Sequence, residues 1–169
     1  ACSGEMAGRH VIDALQRGCR LGFVGGGDIH DGRPGDARHR WQTATPGYTE
    51  DLYPQGLTAA LAGELSREAV FDAMATRRTY ATTGRRTYLE AIDDGDHLRV
   101  TAAAEDQLSE VALVRNGTDV ERRGPTEEPR VVASRFSIED LGPKEFCYIR
   151  ATTASGEMAW SSPVWGRRK

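Results

Sequence analysis

The chain has 169 residues, 38% hydrophobic and 28% charged, with a net charge of −3 at neutral pH. That composition is globular and excludes wholesale disorder. No apolar run is long enough for a membrane helix, and the mildly acidic balance gives no reason to expect a nucleic-acid or anionic-membrane partner. The opening ACSGEMAGRH lacks both the apolar core of a signal peptide and an initiator Met, which fits a processed chain or an excised fragment.

In RHVIDALQRG, the positions of Val11, Ile12 and Leu15 predict one apolar helix face, with Gly18 as a natural stop. RLGFV then reads as a short buried strand ending at Gly25, Gly26 and Gly27. Glycines have no side chain to pack and admit close backbone approach or a sharp turn. Behind them stand Asp28, His30 and Asp31, all metal-ligand or acid–base types.

On a strand, residues i and i+2 point to the same side, roughly 6–7 Å apart. Asp28 and His30 can therefore converge on one cation or a close metal pair, while Ile29 packs the other way. Carboxylate plus imidazole suits Zn, Mn or Fe, although a catalytic zinc takes three protein ligands. An Asp–His hydrogen bond in a turn explains the same two residues. The glycines lack the Gly-Lys-Ser/Thr ending of a P-loop and do not open a helix as G-x-G-x-x-G, which sets nucleotide binding aside.

The segment between Asp31 and Gly56 is long, irregular and rich in Gly, Pro and Arg, a pattern that marks functional or disordered loops. Its DGRPGDARHRW places Arg33, Arg38, His39 and Arg40 just past the candidate ligands. Arginines beside a metal suit an anionic substrate through bidentate recognition; a solvated basic loop accounts for them equally well. GLTAALA reads as a second strand, though its alanines also fit a helix.

ELSREAVFDAMATRR is the clearest helix. Ser66 is a good N-cap and Glu68 sits in the positive first turn. Leu65 and Val70 are spaced for a hydrophobic staple. Val70, Phe71 and Met74 form the apolar stripe, and Arg77 and Arg78 close the helix at its negative end. Such strand–helix alternation predicts an α/β layer with a mostly parallel sheet. The following RRTYATTGRR gathers arginines, Arg78 among them, around hydroxyls and amides that suit an anion; it also reads as a helix exit into an extended linker.

From Gly84 onward the period becomes two. Leu98, Val100 and Ala102 share one face of HLRVTA, and EVALVRNGTDVERR is a hairpin with Asn116-Gly117 at its tip. RFSI and FCYIRATTASGEMAW follow, with Ser155-Gly156 as another turn. Short strands at regular spacing predict a small antiparallel sandwich and a boundary near 85, dividing 1–84 from 85–169. Cys2, Cys19 and Cys147 show no metal-binding spacing, and Cys147 reads as a small core hydrophobe. Trp160 and Trp165 suit either a sugar-stacking surface or the sandwich core.

ALQRGCRLGFVGGGDIHDGRPG, GLTAALAGELSREAVFDAMATRRTYATTG and YIRATTASGEMAWSSPVWG together resemble the C-terminal part of PHP-type metallohydrolases, in particular PHP-like proteins of the DUF3604 type. That resemblance covers nearly the whole chain. It implies an α/β + β architecture: the closing βα units of a PHP-like (β/α)7 barrel over 1–84, then an Ig-like antiparallel β-sandwich over 85–169. In such barrels two or three metals sit at the C-terminal strand ends, and the last ligand motif, Asp-x-His, maps onto Asp28 and His30. Gly26, Gly27 and Ile29 stand where the family usually has small or hydroxylated residues.

The four histidines, His10, His30, His39 and His97, form no His-x-His pair. The upstream family ligands are therefore expected in an N-terminal remainder of the barrel, with which this piece would associate. The implied activity is metal-dependent hydrolysis, first of phosphoesters, at Asp28 and His30 as catalytic metal ligands. Arg33, Arg38, Arg40 and Arg78 would hold an anionic small-molecule substrate. The alternative is a β-sandwich binding module carried on a non-catalytic α/β stub. Neither the compartment nor the oligomeric state is legible.

Overall fold

The computed structural model describes residues 6–27 and 56–167. Two antiparallel sheets pack face to face, with two short helices outside them. Helix α1 (Val11–Gln16) begins where the His10 backbone N–H donates to Asp13 Oδ2 at 2.7 Å. It ends at Gly18, whose φ is +88°. There the Gly18 N–H donates to the Leu15 carbonyl and the Cys19 N–H to the Ala14 carbonyl, the paired bonds of a Schellman ending.

GLTAALA forms strand β1 (Leu57–Ala60), and helix α2 covers Arg67–Ala75. Ser66 caps α2 as its sequence predicts, its Oγ accepting the Ala69 N–H at 3.2 Å. The expected staple does not form, because Leu65 is 99% exposed. The expected apolar stripe is also corrected: Ala73 is the buried residue of α2, while Phe71 and Met74 face solvent. The helix meets β1, and only the small Ala73 is enclosed.

Strand β2 (Thr79–Thr82) lies antiparallel to β1, with Leu57 opposite Thr82 and Ala60 opposite Thr79. The Leu61 N–H continues the ladder to the Arg78 carbonyl at 2.9 Å. The α2 connection thus returns the chain at the end of β1 where it left, and β1–α2–β2 is not a parallel βαβ crossover. Every strand pair among the described residues is antiparallel, which corrects the expected mostly parallel sheet. No barrel is formed by the described residues.

After residue 84 the described regular elements are all strands: β3 (Tyr88–Asp93), β4 (His97–Ala103), β5 (Leu108–Arg115), β6 (Thr118–Arg123), β7 (Val131–Ser137), β8 (Phe146–Thr153), β9 (Met158–Ser161) and β10 (Val164–Trp165). The larger sheet runs β1-β2-β9-β8-β5-β6, with β10 also on β8; the smaller runs β3-β4-β7. The larger sheet crosses residue 84, because Tyr80 of β2 lies opposite Ser161 of β9. Asn116 and Gly117, at φ +51° and +88°, make the two-residue turn between β5 and β6.

Alternation sets the core. Leu98, Val100 and Ala102 of β4 are buried together with Leu89, Val132 and Phe136 of the same sheet. They face Tyr80, Val111, Leu113, Cys147, Ile149 and Ala159 of the larger sheet. Ala112 and Val114 are also buried, on the reverse face, where Ile12 of α1 reaches the hairpin tip at Gly117. This double coverage explains why β5 reads as a continuous apolar run. No helix among the described residues is long and apolar enough to cross a membrane.

Candidate functional site

Residues 21–27, which lead to Asp28, lie along the larger sheet and form no regular strand. The strand expected for RLGFV is thereby corrected. Leu21 and Val24 are exposed, and side-chain hydroxyls tie the backbone down. The Phe23 N–H donates to Ser162 Oγ at 2.8 Å, and Thr79 Oγ1 donates to the Phe23 carbonyl at 2.8 Å. Those two hydroxyls touch at 3.1 Å. Further on, Thr58 Oγ1 accepts the Gly25 N–H at 2.9 Å and donates to the Gly25 carbonyl at 2.7 Å. The Phe23 ring meets Tyr148 edge-on, centroids 5.2 Å apart.

Gly25 is required by close approach. A Cβ there would stand 2.5 Å from the Leu57 carbonyl oxygen, and one on Gly56 would stand 2.9 Å from that of Gly26. The backbone the glycines approach is that of β1.

Asp28, His30, Arg33, Arg38 and Arg40 lie outside the described residues, as do Asp31 and His39. Among the described residues, no three His, Cys, Asp or Glu side chains converge as a metal site would require. One carboxylate and one imidazole are a donor pair suited to Zn, Mn or Fe, but too few to hold a catalytic metal.

Arg78 is described. Its N–H donates to the Ala73 carbonyl at 2.7 Å, and its Nε donates to Thr76 Oγ1 at 3.0 Å. It lines a cleft of about 910 Å³ together with Arg20, Arg77, Lys144, Arg167 and Trp165. The Arg20 and Arg77 guanidinium carbons lie 5.5 and 5.7 Å from the Trp165 ring centroid, within cation–π range. Arg167 pairs with Asp93 at 2.9 Å. The Trp165 indole Nε1 is buried with no acceptor.

Trp160 and Trp165 are both half-buried, and neither joins the core between the sheets. Cys147 is fully buried there, as its strand pattern predicts. The grouping of Arg20, Arg77 and Lys144 around Trp165 escapes sequence reasoning, since these residues are far apart in the chain. The one local signal is Arg77-Arg78 at a helix end.

The sequence profile described as "Protein of unknown function (DUF3604)" matches residues 22–118. Uncharacterized proteins of Chlamydia muridarum and Chlamydia pneumoniae are 28% identical to this chain, and one of Chlamydia trachomatis is 27% identical. Each match runs over 183 residues and covers 92% of this chain but 28% of the relative. This chain thus spans little more than a quarter of the length of the curated relatives it matches. No solved structure matches.

Proposed function

The chain belongs to the DUF3604 family, and from that membership we propose that it is the C-terminal part of a metal-dependent hydrolase, acting on phosphoesters. In this reading an N-terminal remainder forms most of a PHP-like barrel and carries the other ligands, while this chain brings the last ligand motif and the appended sandwich, whose larger sheet includes β1 and β2. Asp28 and His30 are the ligands this part contributes. Arg33, Arg38 and Arg40 hold the anionic substrate. A bound divalent metal supplies Lewis acidity and a water of lowered pKa.

The observation that carries the reading is the fixed approach to Asp28-Ile29-His30. Thr58, Thr79 and Ser162 clamp the backbone at Phe23 and Gly25, and Gly25 seats it against β1. These bonds hold the backbone up to Gly25, three residues before Asp28 in the sequence, and a preorganised site needs such rigid support for its ligands.

The test compares this chain with the longer protein. Metal content after dialysis and turnover of phosphodiester and phosphomonoester substrates are measured on both. The longer protein is expected to hold metal and turn over, and the 169-residue chain to do neither. Asp28→Ala with His30→Ala should abolish turnover in the longer protein. Metal-independent activity there, or activity indifferent to the double substitution, overturns the proposal.

A further inference from the structure

We propose that the cleft at Trp165 is a binding site for a phosphate-bearing small molecule. Three observations carry this. The first is charge. Five cationic side chains, Arg20, Arg77, Arg78, Lys144 and Arg167, line the cleft against one carboxylate, Asp93, which Arg167 already engages. Among the described residues no carboxylate pairs with Arg20, Arg77, Arg78 or Lys144. In a chain of net charge −3, such a concentration of cations is not a reflection of composition. A phosphate or pyrophosphate group, with several oxygens for guanidinium forks, can engage several such cations at once.

The second observation is backbone strain. Arg77 holds φ +61°, the left-handed region, at the residue that follows the C-cap of α2. The Arg77 N–H donates to the Met74 carbonyl and the Arg78 N–H to the Ala73 carbonyl, so α2 ends in the same Schellman motif as α1. Glycine is the favoured residue there, and α1 has it in Gly18. An arginine kept at a position that penalises it points to a use for its side chain. That side chain lies over Trp165, inside the cleft.

The third is position. A Cβ on Gly22 would stand 3.1 Å from Arg77 Cγ. Beyond Gly22 the chain moves along β2 to Thr79 at Phe23, and then to Thr58 at Gly25. Arg20 and the cleft therefore lie at the start of this segment. The site does not depend on the hydrolase reading. It groups Arg78 with Arg20 and Lys144.

The experiment titrates the 169-residue chain with inorganic pyrophosphate, followed by calorimetry and by tryptophan fluorescence, since two guanidinium groups rest on Trp165. One saturable site is expected, weakened as salt rises from about 0.05 to about 0.2 M. Arg20→Gln with Arg77→Gly should weaken binding by at least about tenfold, the equivalent of one charge-assisted hydrogen bond. Arg77→Gly relaxes the strained backbone, so a retained urea midpoint separates lost binding from lost folding. Arg9→Gln with Arg135→Gln, two exposed cations outside the cleft, should leave the affinity intact. Absence of saturation by about 10 mM pyrophosphate, a range in which even millimolar affinity would show, overturns the proposal. So does unchanged affinity in the Arg20→Gln, Arg77→Gly protein.

Discussion

Gly18 and Arg77 occupy the same position in two helices: each follows a C-cap, each has positive φ, +88° and +61°, and each donates the inner bond of a Schellman ending. The residues differ while the backbones agree. A Cβ on Gly18 would meet nothing within 4 Å, so Gly18→Ala should lose only the backbone term, about 1 kcal/mol. Arg77→Gly removes that penalty but gives up stacking on Trp165, worth about 0.5–1 kcal/mol, and should change stability by less than about 0.5 kcal/mol. Urea unfolding of both variants measures the contrast. A loss above about 1 kcal/mol in Arg77→Gly would make its side chain a structural element.

Gly117 joins the β5–β6 turn to helix α1. Its φ is +88°, and a Cβ there would stand 2.9 Å from Ile12 Cδ1. Gly117→Ala should cost about 2 kcal/mol, combining left-handed strain with a displaced Ile12. Ile12→Ala in the same chain should recover only the second part. A double-mutant cycle on unfolding free energies reads the coupling; strict additivity would mean that α1 does not rest on the hairpin.

Glu145 gives the fold an acid-sensitive clamp. Its carboxylate accepts from Arg115, from the Gly142 N–H at 2.8 Å and from Asn116 Nδ2 at 2.8 Å. The Arg115 guanidinium, first among these, holds its pKa down at about 2, against an ordinary 4.5. A carboxyl depressed in the folded state contributes stability that is full above the unfolded pKa and is lost as pH falls toward the folded one. The wild-type advantage over Glu145→Gln should therefore be constant above pH 4.5 and fade toward pH 2. The side chain is about one-third exposed, so solvent screening limits the advantage to about 1 kcal/mol. Unfolding free energies across that window check the sign.

Features that depend on near neighbours in the chain are legible in its sequence. The Ser66 cap, the Gly18 stop, the Asn116-Gly117 turn and the Leu98–Val100–Ala102 face all form as their local patterns predict. Strand direction is not local. Nothing near Tyr80 indicates that it lies opposite Ser161, so strand–helix alternation predicts a parallel layer where the chain builds an antiparallel one. RLGFV has strand composition, yet the hydroxyls that hold it, Thr58, Thr79 and Ser162, belong to distant segments. The stripe on α2 fails because the helix encloses only Ala73. Of the candidate site residues, Arg78 is the one described, and its partners Arg20 and Lys144 come together only through the fold.

Cys147 and Cys19 should differ sharply in reactivity. Cys147 lies in the core between the sheets, where burial pushes its thiol up to about 12. The thiolate is the reactive species, so at pH 8 Cys147 is both protonated and out of reach. Cys19, just past α1, is exposed. Brief alkylation of the native chain at pH 8, followed by peptide mass mapping, should label Cys19 and leave Cys147 unmodified; both should react in denaturant. Because Cys147 opens only with the core, its labelling rate should follow global unfolding and slow when the fold is stabilised. Rapid native labelling at Cys147 would mean that β8 separates from its neighbours without global unfolding. The Val164–Cys147 pairing of β10, a strand of two residues, would be the first place to look.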